Sequence, residues 1–294
     1  MPSIHRSAVV DPAAQLADDV EIGPNCVVQG PAVLAAGVRL IANAYVQGPA
    51  TIGEGTVLYP GSAVGLGPQD YKFKPGMPTA GVRIGRDCLI REGATVHAAT
   101  RQDIPTTVGD RVFMMVNSHA GHDASVANDV VLVNGSVLAG FSQIAERVTL
   151  SGNVAVHQYN RIGRLAFLSG GSVYSTDVPP FCVGAGRNRI YAVNLVGMRR
   201  AGIDRAHITQ VRVAFNRVFR RNLPRSEMLD VLAELGKDCP PVMEMREFVA
   251  TGKKPLAPGA GRPTREVKFY LAATRRGEIV PSMLSGLAED DEVD

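Results

Sequence analysis

An apolar residue occupies every sixth position along most of the first two thirds of the chain. The series runs unbroken over 10–64, resumes over 84–96 and continues over 108–168, and turn segments such as "IGPN", "IGEG" and "IGRD" follow the apolar positions. A period of six matches neither an amphipathic helix nor an alternating strand. It is typical of a solenoid in which three short strands and three turns make one coil. The pattern therefore predicts a parallel β-helix with the apolar side chains along its axis.

Two insertions interrupt this repeat, at 65–83 and 98–107. Long loops on a regular scaffold are commonly functional. If each insertion replaces one corner, then Val64, Val96, Ala120, Leu138 and Val156 lie on one face of successive coils, about 4.8 Å apart. The polar residues near these positions then fall along one edge, together with the loop that carries "QDYK". They are Asp70, Lys72, His97, His119, His122, Asp123, His157 and Gln158, with Gly140 among them.

The segment "NSHAGHD" at 117–123 offers three chemistries. A metal site is disfavoured, because strand residues three apart, such as His119 and His122, point to opposite sides unless a turn intervenes. A nucleophile is disfavoured because no serine or cysteine lies in an elbow motif. General-base catalysis by a neutral imidazole remains, with Asp123 or a backbone carbonyl to orient the ring and Gly140 to offer an N–H to an oxyanion. Alternatively, His119 and His157 are hydrogen-bonded polar residues that line a coil corner.

Helical spacing replaces the six-residue period after "TDVPPF". Asp204 is the expected N-cap of a helix whose apolar stripe contains Ile208 to Phe219, and 224–235 and 241–250 read as two more helices. We expect a β-helix at 1–190, a helical domain at 191–254, and a linker with an acidic tail at 255–294. Eight arginines and one acid lie between 199 and 225, which indicates either a solvated face or a docking surface for an acidic carrier protein.

Bulk composition bears on the partners of the protein and on its location in the cell. The net charge of +3 over 294 residues does not favour nucleic acid as a partner. No apolar run reaches the length of a membrane span, and the first ten residues lack the apolar region of a signal peptide. The four cysteines are scattered, which favours reduced thiols in a cytoplasmic protein.

Six motifs carry a resemblance to a known family: "QDYK", "IREGATVH", "NSHAGHD", "AVHQY", "DVPPF" and "NLVGMRRAG". Over about residues 4–252 the chain resembles the UDP-N-acetylglucosamine acyltransferases that begin lipid A biosynthesis. The resemblance implies a left-handed β-helix and a homotrimer with active sites between subunits. It also implies an acyl carrier protein as donor of a 3-hydroxyacyl chain, the glucosamine 3-OH of a UDP-amino sugar as acceptor, and no cofactor or metal. The related N-acyltransferases usually carry Asn where Asp123 stands and have an added N-terminal domain, so the O-acyltransferases are favoured.

The resemblance also assigns roles to residues. His122 matches the general base, Asp123 its orienting partner and Gly140 the oxyanion donor. Gly170 matches the position where residue size limits acyl length. The substrate-contacting positions are matched by Asp70, Lys72, His157 and Gln158, and the nucleotide side by His97, Asn194 and Arg200. His119 is a further substrate-binding candidate on the same edge.

The sequence departs from the family pattern in three places. Ala98 and Ala99 stand where an Arg-Gly pair is usual, Phe141 stands where His is usual, and Ala201 ends the basic pair early. Loss of a phosphate-facing arginine removes charge-assisted hydrogen bonds worth roughly 1.5–3 kcal/mol each. Two alternatives therefore stay open, an acyltransferase for another UDP-amino sugar, such as a 3-amino analogue, and a trimeric binding scaffold without catalysis.

Overall fold

The computed structural model describes residues 1–260, which form a parallel β-helix followed by four α-helices. The β-helix is built from strands of two to four residues. The strands of this part of the chain, labelled β1 to β28, are Ser3–Ile4, Val9–Val10, Gln15–Leu16, Glu21–Ile22, Val27–Gln29, Ala32–Leu34, Arg39–Leu40, Tyr45–Gln47, Ala50–Ile52, Val57–Leu58, Ala63–Leu66, Val82–Ile84, Leu89–Ile90, Thr95–His97, Thr106–Val108, Phe113–Met114, His119–Ala120, Ser125–Val126, Val131–Leu132, Val137–Leu138, Gln143–Ile144, Thr149–Leu150, Ala155–Val156, Arg161–Ile162, Phe167–Leu168, Val173–Tyr174, Cys182–Gly184 and Ile190–Val193.

Each coil contributes one strand to each of three sheets. Sheet A contains β1, β4, β7, β10, β13, β16, β19, β22, β25, β27 and β28; sheet B contains β2, β5, β8, β11, β14, β17, β20, β23 and β26; sheet C contains β3, β6, β9, β12, β15, β18, β21 and β24. All pairings are parallel except that of β27 with β28. The predicted coil of three six-residue units is confirmed.

The axis of the β-helix is filled by the repeating apolar residues. Leu132, Leu138 and Leu150 have no exposed surface, whereas Val10 and Leu16, at the open N-terminal end, are only partly covered. Many corners place a residue in the left-handed region, which Asn, Asp and Gly tolerate best. Small corner residues and large axial residues together let the coils stack in register.

Both insertions leave from the same edge. The first joins β11 of sheet B to β12 of sheet C, and the second joins β14 of sheet B to β15 of sheet C. Each insertion therefore replaces a single corner, as predicted. Val64 pairs with Val96, which in turn pairs with Ala120, so the predicted face is sheet B. We call the edge between sheets B and C the B–C edge.

The helices are α1 (Leu195–Arg200), α2 (Arg205–Ala214), α3 (Arg225–Leu235) and α4 (Pro240–Thr251), with a π-helical turn at Phe215–Phe219. The Asp204 carboxylate accepts a hydrogen bond from Ala206 N, which confirms the predicted N-cap. The predicted apolar stripe is buried. The short helix α1 and the antiparallel strand β28 were not predicted, because neither contains enough residues to show a period. Within residues 1–260, no helix combines the length and the apolar character needed to cross a bilayer.

Two arginines join the helical domain to the last coils. Arg161 donates to the Asp177 carboxylate at 2.8 Å and to the carbonyl of Phe248 in α4 at 2.7 Å. Arg164 forms a bidentate pair with Glu244 of the same helix. The Asp177 side chain is 1% exposed, so its charge depends on Arg161 for compensation.

The segment after α4 differs from its sequence prediction. Residues 255–260, which we expected to begin a linker, hydrogen-bond to both parts of the chain. Asp177 N donates to Pro255 O, Ile190 N donates to Pro258 O, and Asn222 exchanges two hydrogen bonds with Gly259. Pro and Gly there suit an extended segment that pairs on one side only. The predicted acidic tail lies outside the described residues.

The axial packing predicts unequal costs for matched substitutions. Val28 points into the axis with no exposed surface, while Val33 of the next strand is 37% exposed on sheet C. Val28→Ala is expected to lower the free energy of unfolding by about 2–3 kcal/mol, because it removes buried methyl groups and leaves a cavity. Val33→Ala should change it by less than about 0.5–1 kcal/mol. Urea unfolding of both variants measures the difference, and equal losses would contradict the assigned orientation.

Candidate active site

The B–C edge gathers the predicted polar residues on successive coils. From the N-terminal side it presents the loop with Asp70 and Lys72, the second loop from Ala98, and then the turns that follow β17, β20 and β23. The last three turns carry His122, Gly140 and Gln158 respectively. The sequence-based placement of these residues on one edge is therefore confirmed.

His122 and Asp123 form a hydrogen-bonded pair. His122 Nδ1 lies 2.8 Å from Asp123 Oδ2, and the two side chains are 13% and 2% exposed. Asp123 has a φ of 59°, a left-handed conformation that aspartate tolerates better than most residues. This backbone conformation turns the carboxylate back towards the imidazole of the preceding residue. In a regular strand, neighbouring side chains point to opposite faces and could not pair in this way.

Two threonines hold Asp123, one at its carboxylate and one at its backbone amide. Thr100 donates to Asp123 Oδ2 from its backbone N at 3.0 Å and from its Oγ1 at 2.7 Å. Asp123 N donates to Thr106 Oγ1 at 2.7 Å. Neither threonine was singled out from the sequence. The only available signal was the insertion itself, since a threonine in a loop has no distinctive spacing.

The surroundings of Asp123 favour its ionised form. Burial raises the pKa of this carboxyl, but hydrogen bonds from His122 and Thr100 outweigh burial and hold the pKa below its usual value. An ionised carboxylate can only accept hydrogen bonds. The proton of neutral His122 therefore lies on Nδ1, which leaves the lone pair of Nε2 free to accept a proton.

Gly140 lies directly against the His122 ring. A Cβ at Gly140 would be 2.5 Å from His122 Cε1 and 2.6 Å from Nε2, so any other residue would displace the imidazole. The neighbouring amides of Ala139 and Phe141 donate to Val156 O and His122 O. Gly140 is buried, and the hydrogen bonds of residues 1–260 include none from its amide. The Gly140 amide is therefore available to an oxyanion.

His97 and His119 pack beside this pair. Their ring centroids are 5.0 Å apart in an edge-to-face arrangement, and Thr95 Oγ1 lies 2.7 Å from His119 Nδ1. Burial, followed by repulsion from His97 and His122, lowers the pKa of His119 to about 4. Burial and His122 also lower the pKa of His97. Both rings are thus neutral near neutral pH and shape the site without adding charge.

A turn separates His119 from His122, which is the exception that the sequence argument allowed. His119 lies in β17 and His122 in the corner that follows. Three imidazoles consequently come close together. Nevertheless, no group of three or more His, Cys, Asp or Glu within residues 1–260 is arranged to hold a metal ion.

The remaining candidates on the B–C edge are more exposed. The Asp70 carboxylate accepts from Lys72 N at 2.8 Å, which stabilises a turn in the first insertion. His157 and Gln158 are exposed, and the Gln158 carbonyl accepts from Lys254 Nζ at 2.8 Å. All four side chains can reach a ligand that lies along the edge.

Three candidates lie elsewhere on the chain. Gly170 follows β25 of sheet A and precedes β26 of sheet B, so it occupies a different edge from His122. Asn194 caps α1, where it accepts from Gly197 N and donates to Leu165 O. Arg200 is exposed at the end of α1. A single subunit does not bring these residues to the His122 pair.

The structure shows where two of the departures from the family pattern lie. Ala98 and Ala99 are 1% and 0% exposed, and their amides donate to Leu66 O and Gly81 O. They pack under the two insertions, where a long charged side chain would require the loops to move. Ala201 is half-buried at the end of α1.

Comparisons with known proteins give a consistent result. The family model described as UDP N-acetylglucosamine O-acyltransferase, domain 2, matches residues 177–257. An acyl-[acyl-carrier-protein]--UDP-N-acetylglucosamine O-acyltransferase of Ectopseudomonas mendocina is 44% identical over 251 residues, covering 85% of this chain and 96% of the relative. The UDP-N-acetylglucosamine acyltransferase of Francisella novicida matches with a TM-score of 0.83 at 29% identity, covering 90% of this chain and 96% of that one. The enzyme from Moraxella catarrhalis RH4 matches with a TM-score of 0.82 at 32% identity, covering 86% and 99%. The β-helix is left-handed, as in that fold.

The contact between Thr100 and Asp123 predicts a pH-dependent loss of stability. The pKa of Asp123 lies below its unfolded value, so its contribution is complete above about pH 4 and is lost as pH falls through the folded pKa. Thr100→Val removes the Oγ1 donor and should raise this pKa. We expect a loss of about 1–3 kcal/mol near neutral pH, which shrinks as the carboxyl becomes protonated. Urea unfolding across pH 3–7 measures it.

A matched control is available in the adjacent β15. Thr107 Oγ1 donates to Ser125 Oγ at 3.2 Å in an exposed position. Thr107→Val should cost less than about 0.5 kcal/mol at every pH. A loss at Thr100 that does not depend on pH, or an equal loss at Thr107, would argue against the assigned role.

Proposed function

The chain belongs to the UDP-N-acetylglucosamine O-acyltransferases, and we propose on this premise that His122 is its general base. The reaction transfers a 3-hydroxyacyl chain from acyl carrier protein to the glucosamine 3-OH of UDP-N-acetylglucosamine. This reaction is consistent with the lipid A biosynthesis step, and a relative of this chain is named acyl-[acyl-carrier-protein]--UDP-N-acetylglucosamine O-acyltransferase. The observation that carries the proposal is the His122–Asp123 pair, which leaves Nε2 free beside Gly140.

The chemistry follows from this geometry. His122 Nε2 removes the proton of the acceptor hydroxyl as the oxygen attacks the thioester carbonyl. The Gly140 N–H stabilises the negative charge that develops on the carbonyl oxygen. Asp123, kept ionised by Thr100, stabilises the imidazolium that forms. Collapse of the intermediate breaks the C–S bond, and the imidazolium returns its proton to the departing thiolate.

Substrate contacts are proposed along the B–C edge. Asp70, Lys72, His157 and Gln158 would contact the sugar or the acyl chain, and His97 the nucleotide side. Their exposure, or in the case of His97 its position beside His122, supports these roles. His119 would line the site as a neutral side chain, which agrees with its low pKa.

We also propose a homotrimer with sites shared between subunits. From β10 onwards, apolar residues dominate the outward positions of sheet A, whereas polar residues dominate those of sheet C. The sheet A residues include Val57, Leu89, Phe113, Val131 and Phe167; the sheet C residues include Arg83, Thr107, Ser125 and Gln143. An apolar sheet face favours burial against another chain.

A shared site would also explain the scattered candidates. Gly170, Asn194 and Arg200 would approach His122 from a neighbouring subunit. In addition, His97 Nδ1 and Asp123 Oδ1 are buried and have no hydrogen-bond partner among residues 1–260. Buried polar atoms are usually paired, so a substrate or a second subunit would complete the site.

Acyl carrier protein is the proposed partner of the arginine-rich segment. Arg220 and Arg225 are committed within the chain, because they donate to backbone carbonyls of Tyr191, Val249 and Lys254. Six others are exposed: Arg199, Arg200, Arg205, Arg212, Arg217 and Arg221. Their positive charge suits an acidic carrier protein. A donor of this kind, together with four buried free thiols, supports a cytoplasmic location.

Acyl transfer by the purified protein tests the proposal. Acyl carrier proteins with 3-hydroxyacyl or plain acyl chains would be offered with UDP-N-acetylglucosamine or its 3-amino analogue. We expect turnover with UDP-N-acetylglucosamine, and His122→Ala should lower kcat by about 10²–10⁴-fold because the base is lost. The exposed His5 near the N-terminus gives the control His5→Ala, which should remain fully active.

The two alternatives have distinct outcomes in the same assay. Turnover with the 3-amino analogue alone would assign a different acceptor. Absence of turnover with every pair, together with undiminished cellular function of His122→Ala, would indicate a binding scaffold.

Subunit mixing tests the shared site. Homotrimers of His122→Ala and of Gly170→Trp should both be inactive with long acyl chains, since one lacks the base and the other fills the acyl region. In trimers assembled from equal amounts of both chains, about a quarter of the sites would pair an intact His122 with an intact Gly170. We therefore expect about a quarter of the wild-type activity. No recovery would contradict a site that combines His122 of one subunit with Gly170 of another.

A further inference from the structure

Phe141, which departs from the family pattern in sequence, makes an aromatic contact with the His122 ring. The two ring centroids are 5.4 Å apart and the ring planes are at 89°, an edge-to-face arrangement. Phe141 also stacks on Tyr159. The centroids of these two rings are 4.8 Å apart and the angle between the ring planes is 13°. His122, Phe141 and Tyr159 thus form a continuous stack along the B–C edge.

Two members of this stack, Phe141 and Tyr159, come from equivalent corner positions of the β-helix. Asp123, Phe141 and Tyr159 occupy the same place in three successive turns, with φ values of 59°, 59° and 63°. Phe141 N donates to His122 O at 3.0 Å, and Tyr159 N donates to Gly140 O at 3.1 Å. Aromatic residues rarely adopt positive φ, and such backbone strain persists where neighbouring contacts maintain it.

The helical domain supports the far end of the stack. Lys254 Nζ lies 5.8 Å from the centre of the Tyr159 ring and donates to Gln158 O at 2.8 Å. Arg225 holds the Lys254 carbonyl at 2.7 Å. Tyr159 therefore contacts both the Phe141 ring and a cation, and an aromatic ring favours both contacts.

His122 needs such a boundary. The hydrogen bond between Nδ1 and Asp123 restrains the imidazole at one ring atom only. Gly140 packs against the Cε1 and Nε2 side of the ring and restricts its movement there. Phe141 restricts it further, because its ring packs against the imidazole with the two planes nearly perpendicular. A phenyl ring offers no hydrogen bond to Nε2, so Phe141 restrains the imidazole by packing alone.

We propose that Phe141, backed by Tyr159, is a positioning residue that holds the His122 imidazole in its productive orientation. The inference rests on the proposed function of His122 and adds the source of its alignment. Small displacements of a catalytic group cost large factors in rate. The loss should therefore appear in kcat and leave the acceptor KM nearly unchanged.

The test is a double-mutant cycle on the full-length protein. Phe141→Leu keeps an apolar side chain but removes the ring, and is expected to lower kcat about tenfold or more with the acceptor KM within about twofold. Phe141→Tyr retains the ring and should keep most of the activity. Tyr159→Leu should lower kcat less, and the double variant Phe141→Leu/Tyr159→Leu should be no slower than Phe141→Leu, because Tyr159 acts through Phe141.

Several outcomes would overturn the inference: unchanged kcat in Phe141→Leu, an equal loss in Phe141→Tyr, or additive losses in the double variant. Circular dichroism and subunit mass of each variant identify folding or assembly defects, and a loss of kcat that follows such a defect counts against positioning. His122→Ala separates the two proposals. If that variant stays active, the proposed base is wrong; if it is inactive while Phe141→Leu is unaffected, only the positioning role is wrong.

Discussion

The structure depends on one packing constraint, the burial of every sixth side chain along a common axis. Because each coil takes three six-residue units, a residue and its equivalent one coil later become direct neighbours. The pairing of Val96 with Ala120, and of Ala120 with Leu138, shows this register. An axial residue of the wrong size would disturb the coils on both sides, so the register holds over the length of the helix.

The same register generates the site. Corner residues follow the axial residues at fixed spacing, and their side chains therefore line up without any dedicated element to position them. Gly140 meets His122 because each follows its sheet B strand at the same place, one coil apart. Insertions can replace a corner without disturbing the axis, and one of them brings Thr100 to the Asp123 carboxylate. A rigid scaffold thus supports a site whose details come from loops and turns.

The helical domain is more than a cap on this scaffold. Arg161 and Arg164 fix α4 to the last coils, and Lys254 reaches the turn that carries Gln158 and Tyr159. The domain proposed to dock the carrier protein is therefore in contact with the edge proposed to bind substrate. Hydrogen bonds between domain and edge thus connect the two proposed binding surfaces.

Local periodicity alone determined the β-helix, its three faces and the edge to which the histidines belong, since a six-residue repeat permits few other arrangements. Helix α2 and its Asp204 cap were also evident, because capping and apolar spacing are local signals.

The tertiary structure alone decided which atoms meet. Thr100 reaches Asp123 through the path of a loop, Phe141 reaches His122 through left-handed corners, and residues 255–260 pair with distant segments. Such contacts depend on long-range geometry, to which the order of residues gives no direct signal. The sequence placed Gly170 and Arg200 among the site residues by resemblance. In one chain, Gly170 lies on a different edge of the prism from His122, and Arg200 lies at the end of α1, because the path of the chain and not residue type decides where a corner falls.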